Sequence, residues 1–215
     1  MIYNEDCLDT LKRGLEYDYI ITSPPDLDEI GYTTTPSGIE EYYRFLVSRI
    51  SLFAPKNGVV TIINRDRKAN GTVIRKHNIF CNAMEKSGWV LKSQRVWVRS
   101  YKANLYRYNY SFIQTFKKNA SSFKGEQSIP DAFFYEIEPL ENYKDNYPPE
   151  LIKQFIEVYC PSEDGIIFDP FMGSGSTAIA AINSKKKYAG AEIVKEVFEL
   201  SQSRLSTIND EGSEL

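Results

Sequence analysis

Two short stretches near opposite ends of the chain carry residue types and spacings suited to chemistry. The first is Thr22-Ser23-Pro24-Pro25-Asp26, directly after the apolar run Tyr17 to Ile21. Its prolines fix φ, forbid continuation of helix or strand, and leave carbonyls without neighbouring donors competing for them. A hydroxyl and a free carbonyl at the end of a buried strand stand where open α/β sheets bind ligands. The second stretch is Asp169-Pro170-Phe171-Met172-Gly173-Ser174-Gly175-Ser176-Thr177, between Ile166-Ile167-Phe168 and Ala178 to Ile182. It reads as strand, glycine-rich turn and helix start. Glycines let the backbone bend and approach a ligand closely, and the helix start adds unpaired N–H groups and a partial positive charge. Glu192 ends the next expected strand, where a carboxylate can take both hydroxyls of a ribose.

The elements that must position these groups follow from periodicity. Ile2-Tyr3 predicts a short strand, and Asn4-Glu5-Asp6 a capped helix over Cys7 to Leu15. Tyr17 to Ile21 and Val59 to Ile63 predict buried strands, and Ile39 to Ala54 and Thr72 to Ser87 predict helices, with His77 on the solvent face of the second. Trp89 to Arg99, with Val90, Val96 and Val98 as its apolar positions, and Tyr106 to Phe116 alternate. The bend at Lys102-Ala103-Asn104 makes them an antiparallel pair. A helix from about Val194 to Ile208 and a fraying acidic tail close the chain. Strands alternating with helices and one hairpin predict a three-layer α/β/α fold with a mixed sheet.

A length of 215 residues with 42% hydrophobic content fits one domain, 1–215, able to bury a full core. The net charge of −3 excludes a polycation, yet between Lys86 and Gly125 nine Lys or Arg meet no Asp or Glu. A local basic face is therefore expected. Cys7, Cys81, Cys160 and the single His77 offer no metal-ligand spacing and no disulfide framework, so no metal is expected. No run approaches transmembrane length and no signal peptide is visible, so a soluble, intracellular (cytoplasmic) protein without membrane partners is expected.

The glycine pattern by itself also fits a nicotinamide dinucleotide. The surrounding residues resemble something narrower. Asp169-Pro170-Phe171 ahead of the glycines resembles the S-adenosylmethionine turn of DNA amino-methyltransferases, and Asp18 to Pro25 their catalytic strand and Ser-Pro-Pro-Tyr loop. Catalytic loop first and cofactor turn last is the permuted order of that family's beta group. The chain is identified as a member by resemblance over nearly its whole length. A Rossmann-like methyltransferase fold is then implied, with a seven-stranded mixed sheet ending in an antiparallel hairpin.

The resemblance implies roles. Ser23 and Pro24, with Pro25 and Asp26 completing the loop, would hold an exocyclic amine of a flipped DNA base for in-line methyl transfer. Asp6 would contact the cofactor's adenine, Glu192 its ribose, and Asp169, Pro170, Phe171, Gly173, Ser174, Gly175 and Thr177 the remainder. Cytosine N4 is favoured over adenine N6, because Ser23 stands where many adenine enzymes carry Asp or Asn and Tyr147-Pro148-Pro149-Glu150-Leu151 resembles the cytosine-N4 group. Outward Arg99, Lys102, Arg107, Lys117, Lys118 and Lys124 are the phosphate candidates. Residues 119–147 fill the slot of a target-recognition insert, but roughly thirty residues build no substantial recognition domain. A short site, an oligomer or an accessory subunit would follow.

One departure stands out: the fourth loop residue, aromatic in the family, is Asp26. Tyr32 as a substitute stacker, a modified base bonding to the carboxylate, weak catalysis, or a catalytically silent DNA-binding homologue would each accommodate it. A nicotinamide oxidoreductase leaves the Ser-Pro-Pro loop without a role. Cys160-Pro161 reverses the Pro-Cys order of cytosine-C5 enzymes, which argues against a covalent mechanism.

Overall fold

A computed structural model describes residues 1–26, 36–69, 71–102, 108–118, 129–137, 140, 143, 146–160 and 162–212. Tyr19, Ile20 and Ile21 are fully buried in β2 (Tyr19–Thr22). An apolar run without alternation is what a strand covered on both faces requires. Tyr19 and Ile21 join the core under α4 (Pro149–Tyr159) and α5 (Ser176–Asn183). Ile20 joins the core under α2 (Pro36–Ile50) and α3 (Lys76–Lys86). Each such side chain contributes about 1.5–3 kcal/mol, so the loop after β2 starts from a firmly held strand.

Among the described residues the sheet has eight strands in the order β1 (Ile2–Tyr3), β10 (Lys187–Ala191), β9 (Ile166–Asp169), β2, β3 (Val59–Asn64), β7 (Tyr110–Lys117), β6 (Val90–Val98) and β8 (Ala132–Phe134). From β1 to β3 all pairings are parallel; β7 runs antiparallel to β3 and β6, and β8 parallel to β6. A two-stranded ribbon, β4 (Arg67–Ala69) with β5 (Thr72–Ile74), stands outside the sheet. Near the N-terminus, α1 (Cys7–Lys12) joins the α2 face, and α6 (Lys195–Gly212) packs beside α5 on the other. The helix after β9 thus lies on one face and the helix after β2 on the other. Where neighbouring parallel strands send their chains to opposite faces, a crevice opens at their carboxyl ends.

This is the α/β/α architecture with its antiparallel hairpin, with differences in detail. The sheet does not end in the hairpin: β8, from the region expected to be an insert, adds an eighth strand beyond it. Thr72–Ile74 is strand rather than helix, because it pairs with Arg67–Ala69. His77 does not face solvent. Its Nδ1 lies 2.7 Å from Asp66 Oδ1, and its ring packs 4.2 Å from Phe112. In β6 the buried side chains are Arg95 and Trp97, while Val90 is exposed. A bulge between Leu91 and Ser93 shifts the alternation there. The helix α1 is shorter than expected, and α6 runs on to Gly212.

Candidate active site

The turn after β9 is built around the Asp169 carboxylate. Its Oδ1 accepts from Thr22 Oγ1 at 2.5 Å and from the Phe171 N–H at 3.0 Å, and its Oδ2 accepts from Thr177 Oγ1 at 2.6 Å. Burial raises the Asp169 carboxyl to about 6, against the lowering effect of those same donors. Both oxygens therefore serve the protein, closing the turn on itself and tying β9 to the end of β2. Pro170 is buried beside it, and Phe171 packs on the α2-side core. Gly173 has φ +55° and Gly175, the N-cap of α5, φ +87°. A Cβ at Gly175 would also come within 3.2 Å of Ser201 Cβ, so the position demands glycine twice over.

Glu192, just past β10, reaches back to this turn. Its Oε2 accepts the Gly173 N–H at 2.9 Å and its Oε1 the Val194 N–H at 2.8 Å. Burial raises its carboxyl despite those bonds. Asn4 Nδ2 donates to the Glu192 carbonyl at 2.8 Å, which joins the ends of β1 and β10. Asp6 caps α1, its Oδ1 accepting from Leu8 N at 2.8 Å.

The loop after β2 faces the turn across one pocket, lined on one side by Ser23, Pro24 and Asp26 and on the other by Phe171, Gly173 and Ser174. Ser23 Oγ lies 2.6 Å from the Tyr147 hydroxyl, and the Tyr147 ring packs 5.2 Å from Trp97. Tyr42 OH donates to the Pro25 carbonyl at 3.3 Å. The Asp26 carboxylate, although it lines the pocket, is already engaged by the protein. It accepts from Tyr43 OH at 2.8 Å and pairs with the buried Lys76 ammonium. Burial pushes the Asp26 carboxyl up, but Lys76, Tyr43 and Arg65 together hold it below its ordinary value. In the place of a stacking aromatic the loop carries an ionic anchor to α2 and α3. Aromatic surface is supplied to the pocket from elsewhere, by Tyr143, Tyr147 and Phe171.

Several of these partners carry no motif. Asn146, fully buried, accepts from Ser174 Oγ at 2.8 Å and Ser176 Oγ at 2.5 Å. Arg204, from α6, donates to the Ser174 carbonyl at 2.7 Å. Asn146, Arg204, Tyr43 and Lys76 lie in ordinary helix or loop sequence and become visible only once the chain is folded, as does the contact of Tyr147 with Ser23. Asn146 directly precedes the Tyr147-Pro148-Pro149 helix start, the one motif near it.

The phosphate candidates fare unevenly. Arg99 and Lys117 are not outward, being 4% and 5% exposed. Arg99 stacks its guanidinium 5.0 Å from the Trp97 ring and lines the pocket. Lys117 closes the central strand β7, where both faces are covered. Lys118 is exposed but lies 4.9 Å from the Trp89 ring and donates to the Ser87 carbonyl. Lys102 is exposed. Arg107, Lys124, Tyr32 and most of 119–147 lie outside the described residues. Among the described residues no cluster of His, Cys, Asp and Glu is arranged to hold a metal, and no helix is long and apolar enough to cross a membrane.

Comparison with known proteins gives consistent matches. The sequence profile described as DNA methylase, of the N6/N4 type, matches residues 17–203. The protein YubD of Escherichia coli (strain K12) is 22% identical over 213 residues, spanning 94% of this chain and 88% of that protein. Among solved structures, the M1.HpyAVI–SAM complex superposes with a TM-score of 0.68 at 23% identity, over 95% of this chain and 98% of that one. The PvuII DNA methyltransferase, cytosine-N4-specific, gives a TM-score of 0.78 at 15% identity, over 94% and 84%. At these identities the superpositions speak for the fold.

Proposed function

The chain belongs to the N6/N4 DNA methylase family, and from that premise we propose that it methylates an exocyclic amine of a flipped DNA base, cytosine N4 in preference to adenine N6, with S-adenosylmethionine as donor. The carrying observation is that the Ser23-Pro24 loop and the Gly173-Ser174 turn line one pocket at the carboxyl ends of adjacent parallel strands.

The residues present fit that cofactor. Two left-handed glycines remove the Cβ at two positions of the turn, and Glu192 holds the turn by an N–H while retaining lone pairs for ribose hydroxyls. Bound there, S-adenosylmethionine supplies an electrophilic methyl group. The chain's own part is to present the amine. Its lone pair is delocalised into the base, and Ser23 Oγ and the Pro24 carbonyl accept its two N–H groups, drawing charge back to nitrogen. Tyr147 orients the Ser23 hydroxyl by its 2.6 Å contact. Asp169, Pro170, Phe171, Ser174, Gly175 and Thr177 act through the shape of the turn. Asp6 would contact the adenine through the oxygen that does not cap α1. Asp26 holds the loop in place rather than touching the base. Serine in the loop and the Tyr147-Pro148-Pro149 helix start favour cytosine. Cys160 is fully buried and its thiol is pushed up to about 11 by that burial, which suits no covalent attack on cytosine C5.

Incubation of DNA with labelled cofactor, digestion to nucleosides and chromatography with mass detection test this. N4-methylcytosine is expected, with turnover lowered and cofactor binding retained in Ser23→Ala. N6-methyladenine nucleoside would overturn the base preference, and 5-methylcytosine the mechanism. No labelled nucleoside from any DNA would favour a silent DNA-binding homologue.

A further inference from the structure

Residues 65–76 hold five cations, Arg65, Arg67, Lys68, Arg75 and Lys76, against one acid, Asp66, in a chain whose net charge is −3. They coincide with the β4–β5 ribbon. Its pairing sets Lys68 opposite Val73 and Arg67 opposite Ile74, so the ribbon has two faces. Ile74 is buried and Arg67 reaches the Tyr43 hydroxyl, which itself bonds to Asp26. That inner face is joined to the Ser-Pro-Pro loop. On the outer side Lys68, Val73 and Arg75 are exposed, Val73 at 45%. Arg65 and Lys76, at the two roots of the ribbon, line the pocket.

Beside the ribbon runs an aromatic stripe. Tyr108, Tyr110 and Phe112 are half-buried. Successive rings are 5.3 and 5.5 Å apart, and Lys68 Nζ lies 4.7 Å from the Tyr108 ring. Meanwhile the segment expected to read DNA spends Ala132–Phe134 on the sheet edge, with Ile129 and Phe133 buried. That part is committed to packing.

We propose that the outer face of the β4–β5 ribbon, with the Tyr108–Phe112 stripe, is the surface on which duplex DNA docks beside the base pocket. The proposal rests on the DNA methylase reading. A two-stranded ribbon fits the major groove, and interleaved cations and aromatics suit phosphate and base together. Because the ribbon's roots line the pocket, DNA held on it lies next to the place a flipped base must enter.

The test compares Lys68→Ala/Arg75→Ala with Lys12→Ala/Lys195→Ala, a control removing equal charge from exposed positions on α1 and α6. Binding of short labelled duplexes of mixed sequence is measured against salt, cofactor binding by calorimetry, and methyl transfer to the same DNA. The ribbon variant should flatten the slope of log affinity against log salt by about two units. Cofactor affinity should stay unchanged, and the control should behave as wild type. Wild-type slope and affinity in the ribbon variant, with methyl transfer intact, would overturn the docking surface and leave the methylase reading standing. Binding that weakens as described in the ribbon variant, with no methyl transfer by the wild-type protein, would support the surface and overturn the enzyme reading. Absence of duplex binding by wild type would overturn both.

Discussion

Between Asp169 and Thr177 the chain has a local framework, a carboxylate that takes donors two and eight positions away and two left-handed glycines, to which Thr22, Asn146, Glu192 and Arg204 add distant bonds. The loop from Ser23 to Asp26 depends instead on Tyr43, Lys76 and Tyr147, at separations of 17, 50 and 124 residues. The turn is stabilised by backbone geometry and by hydrogen bonds to the Asp169 and Glu192 carboxyls and from the Arg204 guanidinium. The loop is stabilised by a buried charge pair and a hydroxyl contact. Much of the turn's shape follows from neighbouring residues, whereas the loop is only as well placed as α2, α3 and the stretch before α4 that hold its partners. This contrast has measurable consequences.

The largest concerns Asp26. Restoring an aromatic by Asp26→Tyr strands the Lys76 ammonium, 4% exposed, without its carboxylate. Breaking a buried pair in this way costs about 3–5 kcal/mol. Urea unfolding should show that loss, and Asp26→Tyr/Lys76→Met should recover most of it. Wild-type stability in the single variant would show that the loop needs no ionic anchor.

The turn should respond to pH instead. Asp169 titrates at about 6 in the fold, above the ordinary carboxylate value of 3.8. The native state therefore holds its proton longer than the unfolded chain, and stability from this group falls as pH rises from about 4 to about 6. The shift of about two units corresponds to about 3 kcal/mol as an upper figure. In Asp169→Asn the corresponding part of the pH dependence should vanish, while the rest of the stability-against-pH profile keeps its form. Parallel profiles for the two proteins would mean that the carboxyl is not raised.

Smallest is Tyr147→Phe, which removes only the hydroxyl facing Ser23. One hydrogen bond of about 1 kcal/mol predicts roughly a fivefold drop in kcat. Cofactor affinity should be untouched, because the turn is held independently of Tyr147. An equal fall in cofactor affinity would show that the two sides of the pocket are not separable.

The turn was legible from sequence because its chemistry is local: glycine conformations, a carboxylate two residues before the N–H it accepts, and a helix start follow from residues that are neighbours in the chain. The alternating elements and the hairpin were legible for the same reason. The bulge that shifts β6 was not, since it arises from the register against β7. Nor was the eighth strand, because Ala132–Phe134 is too short to declare itself without the β6 edge to pair with.

The sequence by itself determined the family, the two loops and the strands they follow, because those depend on residue types at short spacing. Only the tertiary structure decided that Asp26 is consumed by Lys76 and Tyr43, that Asn146 and Arg204 lock the glycine turn, and that Arg99 and Lys117 point inward. The physical reason is that a charge declares itself in sequence, whereas its burial and its partner are set by which helices the sheet brings alongside it.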